Sequence, residues 1–357
     1  MIYIHVPFCR SFCTYCGFYS ERLCSESGHL PIDSYISSLC AEILRRREEI
    51  LAAAACNTLY IGGGTPSLLP LAALEQILKA LPLSGFDEFT IEVNPDDILK
   101  GGLSYSLGLK ALGVNRVSMG VQSFSDSELH WMGRRHNASQ AVQAFRLLRD
   151  AGFENISLDL IFGQGSTENL SLSIGRLLAL DPEHVSAYQL SVESGSALES
   201  MLEKGLVHLP DDSVCAAQYA LLCERLSAAG YEHYEISNWA KPGFRARHNS
   251  AYWTRCSYVG LGPGAHSFSR EREYRSWNSE TLPSWQSEGE QLSAREVREE
   301  RTMLGLRCCE GIDAAALPQD RLAAELASGR LCSCSSHRVR IPETHWFVSD
   351  DIISNLL

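Results

Sequence analysis

Over the first 192 residues, short apolar runs alternate with longer stretches in which apolar positions recur every three or four residues. The first pattern belongs to strands buried on both faces, the second to amphipathic helices packed over them. Six strand-helix units can be counted, with strands expected at residues 1–6, 58–61, 88–93, 116–120, 157–162 and 184–190. A helix is expected over 33–50, capped by Asp33, and another over 139–151, stopped by Gly152. Repeated βα units imply an α/β fold around a parallel sheet. Six units fall short of a closed eight-fold barrel, so the expected architecture is a partial (β/α)6 barrel whose open side needs a cover.

Beyond residue 192 the rhythm changes. A helix near 212–229 precedes an aromatic segment with Gly and Pro over 231–277, and that segment is the expected cover. From about residue 293 the pattern predicts a helix to Leu306, another near 317–327, and a strand-like alternation through Arg338, Val339, Arg340 and Ile341. A small helical module resembling a winged helix is expected there. The chain thus divides into a barrel over 1–192, a cover segment over 193–292 and a C-terminal module over 293–357.

Composition narrows the class. At 357 residues and 45% hydrophobic content, the chain can bury a large core without staples. Its first residues lack the basic and apolar regions of a signal peptide, and no apolar run is long enough to cross a bilayer, so no transmembrane segment and a cytoplasmic location are expected. In such a chain thirteen cysteines point to metal ligation plus ordinary buried thiols. A formal net charge of -12 opposes a phosphate backbone, so nucleic acid is not an expected partner.

The cysteines cluster at one place. Cys9, Cys13 and Cys16 lie within eight residues, directly after the first expected strand, where barrel active sites are built. Zinc sites usually pair two separated Cys-x2-Cys units, and only one triplet stands here. Three thiolates suit an iron-sulfur cubane instead, with one iron left open for an outside ligand. Cys332 with Cys334, and the isolated Cys24, Cys40, Cys56, Cys215, Cys223, Cys308 and Cys309, read as ordinary thiols. The Cys-x3-Cys-x2-Cys loop resembles that of the radical S-adenosylmethionine superfamily, which implies a [4Fe-4S] cluster whose open iron takes the amine and carboxylate of S-adenosyl-L-methionine.

Other strand ends agree with a cofactor site. Gly62, Gly63 and Gly64, followed by Thr65 and Pro66, let another group approach the backbone closely. Glu92, Gln122 and Asp159 end later strands and would converge on one barrel mouth. Glu92 and Asp159 can accept from ribose hydroxyls, Gln122 can donate and accept, and Arg134 can meet a carboxylate with a bidentate fork. The resemblance narrows to the branch holding oxygen-independent coproporphyrinogen III dehydrogenases and the HemW-type heme chaperones. It implies that Tyr3, Tyr15, Gly63, Gly64, Thr65, Glu92, Gln122, Arg134 and Asp159 bind S-adenosylmethionine, the glycines holding the methionyl amine. The stretches from Ala187 to Leu190 and from Tyr234 to Ala240 match the branch as well. Gly17 stands where Asp is usual, and Gln164 with Gly165 where Leu-Pro is usual, and neither change removes a cluster ligand.

Within the branch, the dehydrogenases carry a fourth cysteine two residues after the third, and an N-terminal extension. This chain has Phe18 at that position and eight residues before Cys9, which favours the chaperone type. His248-Asn249-Ser250-Ala251-Tyr252-Trp253 matches the heme-associated His-Asn-x-x-Tyr-Trp motif of that group. His248 is the expected heme iron ligand, with Cys256 and His266 as backups; Tyr252 and Trp253 would pack on the macrocycle, and Lys241, Arg245 and Arg247 would meet its propionates. The resemblance implies heme delivery to an acceptor protein, with a membrane-bound acceptor as one expectation. A porphyrinogen-oxidising radical enzyme is the rival, and an RNA-modifying radical enzyme is disfavoured by the acidic balance.

Overall fold

The structure is a computed structural model that describes residues 1–23 and 32–357, so Cys24 lies outside the described residues. Six strands run parallel in sequence order: β1 (Ile2–Val6), β2 (Thr58–Gly63), β3 (Glu88–Val93), β4 (Arg116–Gln122), β5 (Ile156–Phe162) and β6 (His184–Gln189). All six match the expected strands within three residues at either end. Three short strands extend this sheet at both edges. β7 (Glu232–Glu235) pairs antiparallel with β8 (Asn238–Ala240), which joins β6 antiparallel, and β9 (Val259–Leu261) joins β1 in parallel, giving the order β9-β1-β2-β3-β4-β5-β6-β8-β7.

The two faces of the sheet differ in chemistry. Leu59 and Ile61, Phe89 and Ile91, Val117 and Met119, and Leu158 and Leu160 are buried in the apolar core shared with the surrounding helices. The alternate positions are polar and meet each other: the Tyr60 hydroxyl donates to Glu92 at 2.7 Å, Ser118 donates to Asp159 at 3.1 Å, and Ser157 lies 2.8 Å from His184 Nδ1. A strand has period two, so these partners must share one face, and that face is the barrel interior. The strands are therefore buried on both sides but apolar on only one.

The helices follow from local signals. The single helix expected over 33–50 is broken into α1 (Ile32–Arg45) and α2 (Arg47–Ala52). Arg46, at the break, is 8% exposed and bonds Glu42, Glu49, the Gly260 carbonyl and Ser267, so a tertiary anchor decides a joint that periodicity could not show. α3 (Leu71–Ala80), α4 (Pro95–Ala111), α5 (Asp126–Trp131), α6 (Ala138–Asp150) and α7 (Thr167–Leu180) return the chain between strands. α6 opens on a reciprocal capping box between Asn137 and Gln140.

After β6 come α8 (Ala197–Glu203), α9 (Asp212–Ala228) and α10 (Arg247–Trp253), then a meander of β10 (His266–Ser269), β11 (Tyr274–Asn278) and β12 (Ser287–Gln291). The C-terminal region holds α11 (Ala294–Leu306), α12 (Gln319–Ala327) and α13 (Ser349–Leu356) beside a three-stranded sheet, β13 (Ile312–Asp313), β15 (Arg338–Arg340) and β14 (Cys332–Ser333) in that order. Its buried Leu306, Ile312, Leu322, Val339, Ile352 and Leu356 belong to the same continuous apolar cluster as the barrel. Among the described residues no helix is long and apolar enough to cross a membrane.

Candidate functional site

The cysteine loop leaves the end of β1 and is tied down on both sides. Phe8 and Cys9 pair in parallel with Glu21 and Arg22, the Thr14 amide donates to the Met132 carbonyl at 3.1 Å, and the Leu198 amide donates to the Thr14 carbonyl at 2.8 Å. Tyr15 packs against a separate apolar cluster of Leu129, Met132, Ile161, Leu190 and Leu198. These contacts hold a loop that has little secondary structure of its own. Cys9, Cys13 and Cys16 all line the mouth of one cavity of about 1080 Å³, along with Gly63, Gly64, Thr65, Glu92, Gln122, Arg134 and Asp159. Thr65 Oγ1 lies 3.5 Å from Cys9 Sγ, and the Arg134 guanidinium donates to Cys13 Sγ at 3.5 Å. The Arg134 cation thus stands against Cys13 Sγ, while burial raises the Cys16 thiol above its ordinary value, so ligation there must displace a proton.

Arg134 also donates to the Asn94 side chain and to the Gly120 carbonyl, both at 2.6 Å. The fork expected to grasp a carboxylate is thus already engaged by protein groups, and Asn94, which also donates to Thr65 at 3.3 Å, links it to the glycine tract. The glycines have a structural duty too. A Cβ on Gly63, whose φ is +106°, would fall 2.6 Å from the His5 ring, and one on Gly64 would fall 2.7 Å from the Phe8 carbonyl oxygen. They let β1 and its loop lie against the end of β2 while both still border the cavity.

Glu92 is held from two sides, by the Tyr60 hydroxyl at 2.7 Å and the Gly63 amide at 3.1 Å. Each carboxylate oxygen keeps a lone pair for a ligand. Burial pushes its pKa up to about 7, with the nearby Asp159 adding to the rise and the Tyr60 and Gly63 bonds and Arg116 opposing it. Burial raises Asp159 as well, countered by Arg116 and by serine hydroxyls. Gln122 sits at a bulge in the β4-β5 pairing with φ of 70°, a left-handed conformation that turns the strand end into the mouth. Tyr3, expected beside the cofactor, does not line this cavity; its hydroxyl lies 3.0 Å from His5 Nδ1.

His248 is placed elsewhere. It is 1% exposed, with Nδ1 2.8 Å from the hydroxyl of Thr58 at the start of β2 and Nε2 3.1 Å from the Tyr252 hydroxyl. Backbone amides of Arg247 and His248 donate to Glu88, the first residue of β3, at 2.8 and 2.9 Å. α10 therefore sits across the N-terminal ends of β2 and β3, opposite the cysteine loop. Its next residue, Asn249, reaches the cavity. Lys241, Arg245 and Arg247 do not gather beside His248; they pair with Asp181, with Glu232 and Glu310, and with Asp87. Of the backup ligands, Cys256 lies 2.9 Å from Cys56 and His266 is exposed on β10.

Sequence reasoning missed Tyr60, Asn94, Tyr188 and the serines around Asp159, all of which border the cavity or hold a group that does. The signal was present in the period-two alternation, since Tyr60 stands two residues before Gly62 and Tyr188 two after Ser186.

Strands converging on a thiol-rich mouth define a radical S-adenosylmethionine protein, and the model of the Radical SAM superfamily matches residues 3–169. Such proteins carry a [4Fe-4S] cluster and S-adenosylmethionine. The chain belongs to the HemW family within that superfamily. It is 39% identical over 273 residues to the heme chaperone HemW of Bacillus subtilis, covering 74% of this chain and 70% of that protein. It is 35% identical over 351 residues to the heme chaperone HemW of Mycobacterium tuberculosis, covering 92% and 88%. Among solved structures, coproporphyrinogen III oxidase (HemN) from Escherichia coli superposes with a TM-score of 0.82 over 99% of this chain and 89% of that one, at 20% identity, a likeness of fold.

Proposed function

We propose that this protein is a cytoplasmic heme chaperone that carries a [4Fe-4S] cluster on Cys9, Cys13 and Cys16, binds S-adenosylmethionine in the cavity beside them, and passes heme to an acceptor protein. The observation that carries the reading is the similarity to heme chaperones along nearly the whole chain. The cavity supports the cofactor assignment. Three thiols share its mouth, Arg134 faces one of them, and a volume of about 1080 Å³ exceeds what a nucleoside-sized cofactor needs. When bound, the cluster supplies an iron for the methionyl group and an electron. The chain supplies the thiolates, the Glu92 and Asp159 acceptors and the polar interior. At the position of the dehydrogenases' fourth cysteine, Phe18 is 72% exposed at the cavity rim.

Heme ligation by His248 needs a rearrangement, because both ring nitrogens are already hydrogen-bonded. Release of Nε2 from Tyr252 would free the lone pair that iron requires. No feature of the chain supports a membrane-bound acceptor, so the acceptor is proposed only as a protein.

The test is an anaerobic assay of reconstituted protein with S-adenosylmethionine, dithionite and coproporphyrinogen III, run beside a heme titration. Stoichiometric heme binding without protoporphyrinogen is expected. Repeated turnover to protoporphyrinogen would make the protein a dehydrogenase and sink the proposal. Replacing Cys9, Cys13 or Cys16 with Ala should each remove most of the iron and sulfide, and full clusters in all three variants would refute the ligand assignment.

A further inference from the structure

Cys223, which reads from sequence as an ordinary thiol, belongs to a cluster of donors outside the cavity described above. It stands on α9 and faces His233 of β7 and Glu343, the first residue of a 3-10 turn (Glu343–Val348) that leads into α13. Cys223 Sγ, a ring nitrogen of His233 and a carboxylate oxygen of Glu343 all lie within 4.8 Å of one another. His233 Nδ1 is 2.7 Å from Glu343 Oε1 and 3.8 Å from Cys223 Sγ. Tetrahedral zinc, with bonds of about 2.3 Å to sulfur and about 2.0 Å to nitrogen or oxygen, needs donors about 3.3–3.5 Å apart. The observed separations bracket those values, so small side-chain shifts suffice.

The surroundings are those of a built site. The His233 ring stacks on Trp239 at 4.0 Å and 14°, and Trp346 meets it edge-on at 4.3 Å, so its orientation is fixed. Its Nε2 faces the Ile236 carbonyl and the Tyr219 hydroxyl, each at 3.5 Å, which provides the outer partner that a metal-binding imidazole requires. A cavity of about 500 Å³ is bordered by Cys223, Glu343, Tyr219 and Phe347 and leaves room for a fourth ligand.

We propose that Cys223, His233 and Glu343 form a second metal site, independent of the cysteine loop, which takes a divalent cation of the zinc class and keeps one coordination position open to the adjoining cavity. Burial keeps the imidazole neutral by lowering its pKa, and the His233 bond keeps Glu343 ionised. Burial pushes the Cys223 thiol up to about 12, so ligation displaces its proton, and the ring proton moves from Nδ1 to Nε2; one proton leaves per cation. The bound cation ties α9 and β7 to the C-terminal turn.

The test is zinc and iron content of the anaerobically reconstituted protein after equilibration with zinc chloride and desalting. One zinc per chain with undiminished iron is expected. Cys223→Ser and Glu343→Gln should each weaken zinc binding at least about tenfold while iron stays constant. The Glu343 side chain is 46% exposed, so its replacement leaves the fold intact. No zinc in the unaltered protein, equal zinc in both variants, or zinc gained only as iron is lost would each overturn the site.

Discussion

Glu92 is where burial and hydrogen bonding compete on a single carboxylate. Its pKa of about 7 means that the folded protein holds a proton which the unfolded chain, near 4.5, has already released. Between those values the native state binds more protons than the unfolded state, so this group's contribution to stability is complete below pH 4.5 and is lost as pH rises to about 7. Glu92→Gln should remove that loss. Cofactor-free variant and parent, compared by denaturant unfolding at several pH values, should differ in slope across pH 4.5–7, the variant falling less steeply. Under the proposed function the same substitution weakens S-adenosylmethionine binding by about tenfold, since one of the two carboxyl oxygens is replaced by an amide group that only donates. Isothermal titration would measure it, and unchanged affinity would remove Glu92 from the site.

At the scale of elements, the end of β2 and the short helix α10 carry the consequences. Gly63 combines a positive φ with no space for a Cβ beside His5. Gly63→Ala should therefore cost about 1–3 kcal/mol from backbone strain, seen as a lower denaturation midpoint, and should also disturb the cysteine loop through His5. A midpoint equal to that of the parent would show that β1 can retreat freely. In α10, Tyr252→Phe deletes the hydroxyl bonded to His248 Nε2 without altering the ring that packs on Tyr258. If His248 takes heme iron, losing a competitor worth about 0.5–1.5 kcal/mol should raise heme affinity by about two- to tenfold. His248→Ala should change the Soret band. An unchanged spectrum in the second variant and unchanged affinity in the first would leave His248 as a buried residue at the foot of the barrel.

For the whole molecule, the decisive fact is one continuous apolar cluster running from the barrel strands to α13. A shared core couples the C-terminal region to barrel stability. Ile352 is fully buried there, and Ile352→Ala should lower global stability by about 2–5 kcal/mol. Fluorescence and circular dichroism transitions should move together in denaturant. Separate transitions, with only one shifted, would show that the C-terminal region unfolds alone.

What was legible in the sequence was what local chemistry dictates. Six strands appeared as apolar runs because their outward faces must meet helices, and the cysteine triplet appeared because its ligands are neighbours in the chain. Caps were less legible: Asp33, the expected cap, falls inside the first turn of α1, and the box of Asn137 with Gln140 emerged only from the structure. The polar lining was only half legible, since Tyr60 and Ser118 look like interruptions of a strand until closure of the sheet turns them inward. Contacts between distant segments were decided by tertiary structure alone. Arg46 breaks a helix to reach Gly260, Arg134 is claimed by Asn94 and Gly120 before any ligand arrives, and His248 is drawn to Thr58 at the opposite end of the strands from the cysteines. Periodicity reports which face of an element is buried; which partner waits there depends on how the chain closes on itself.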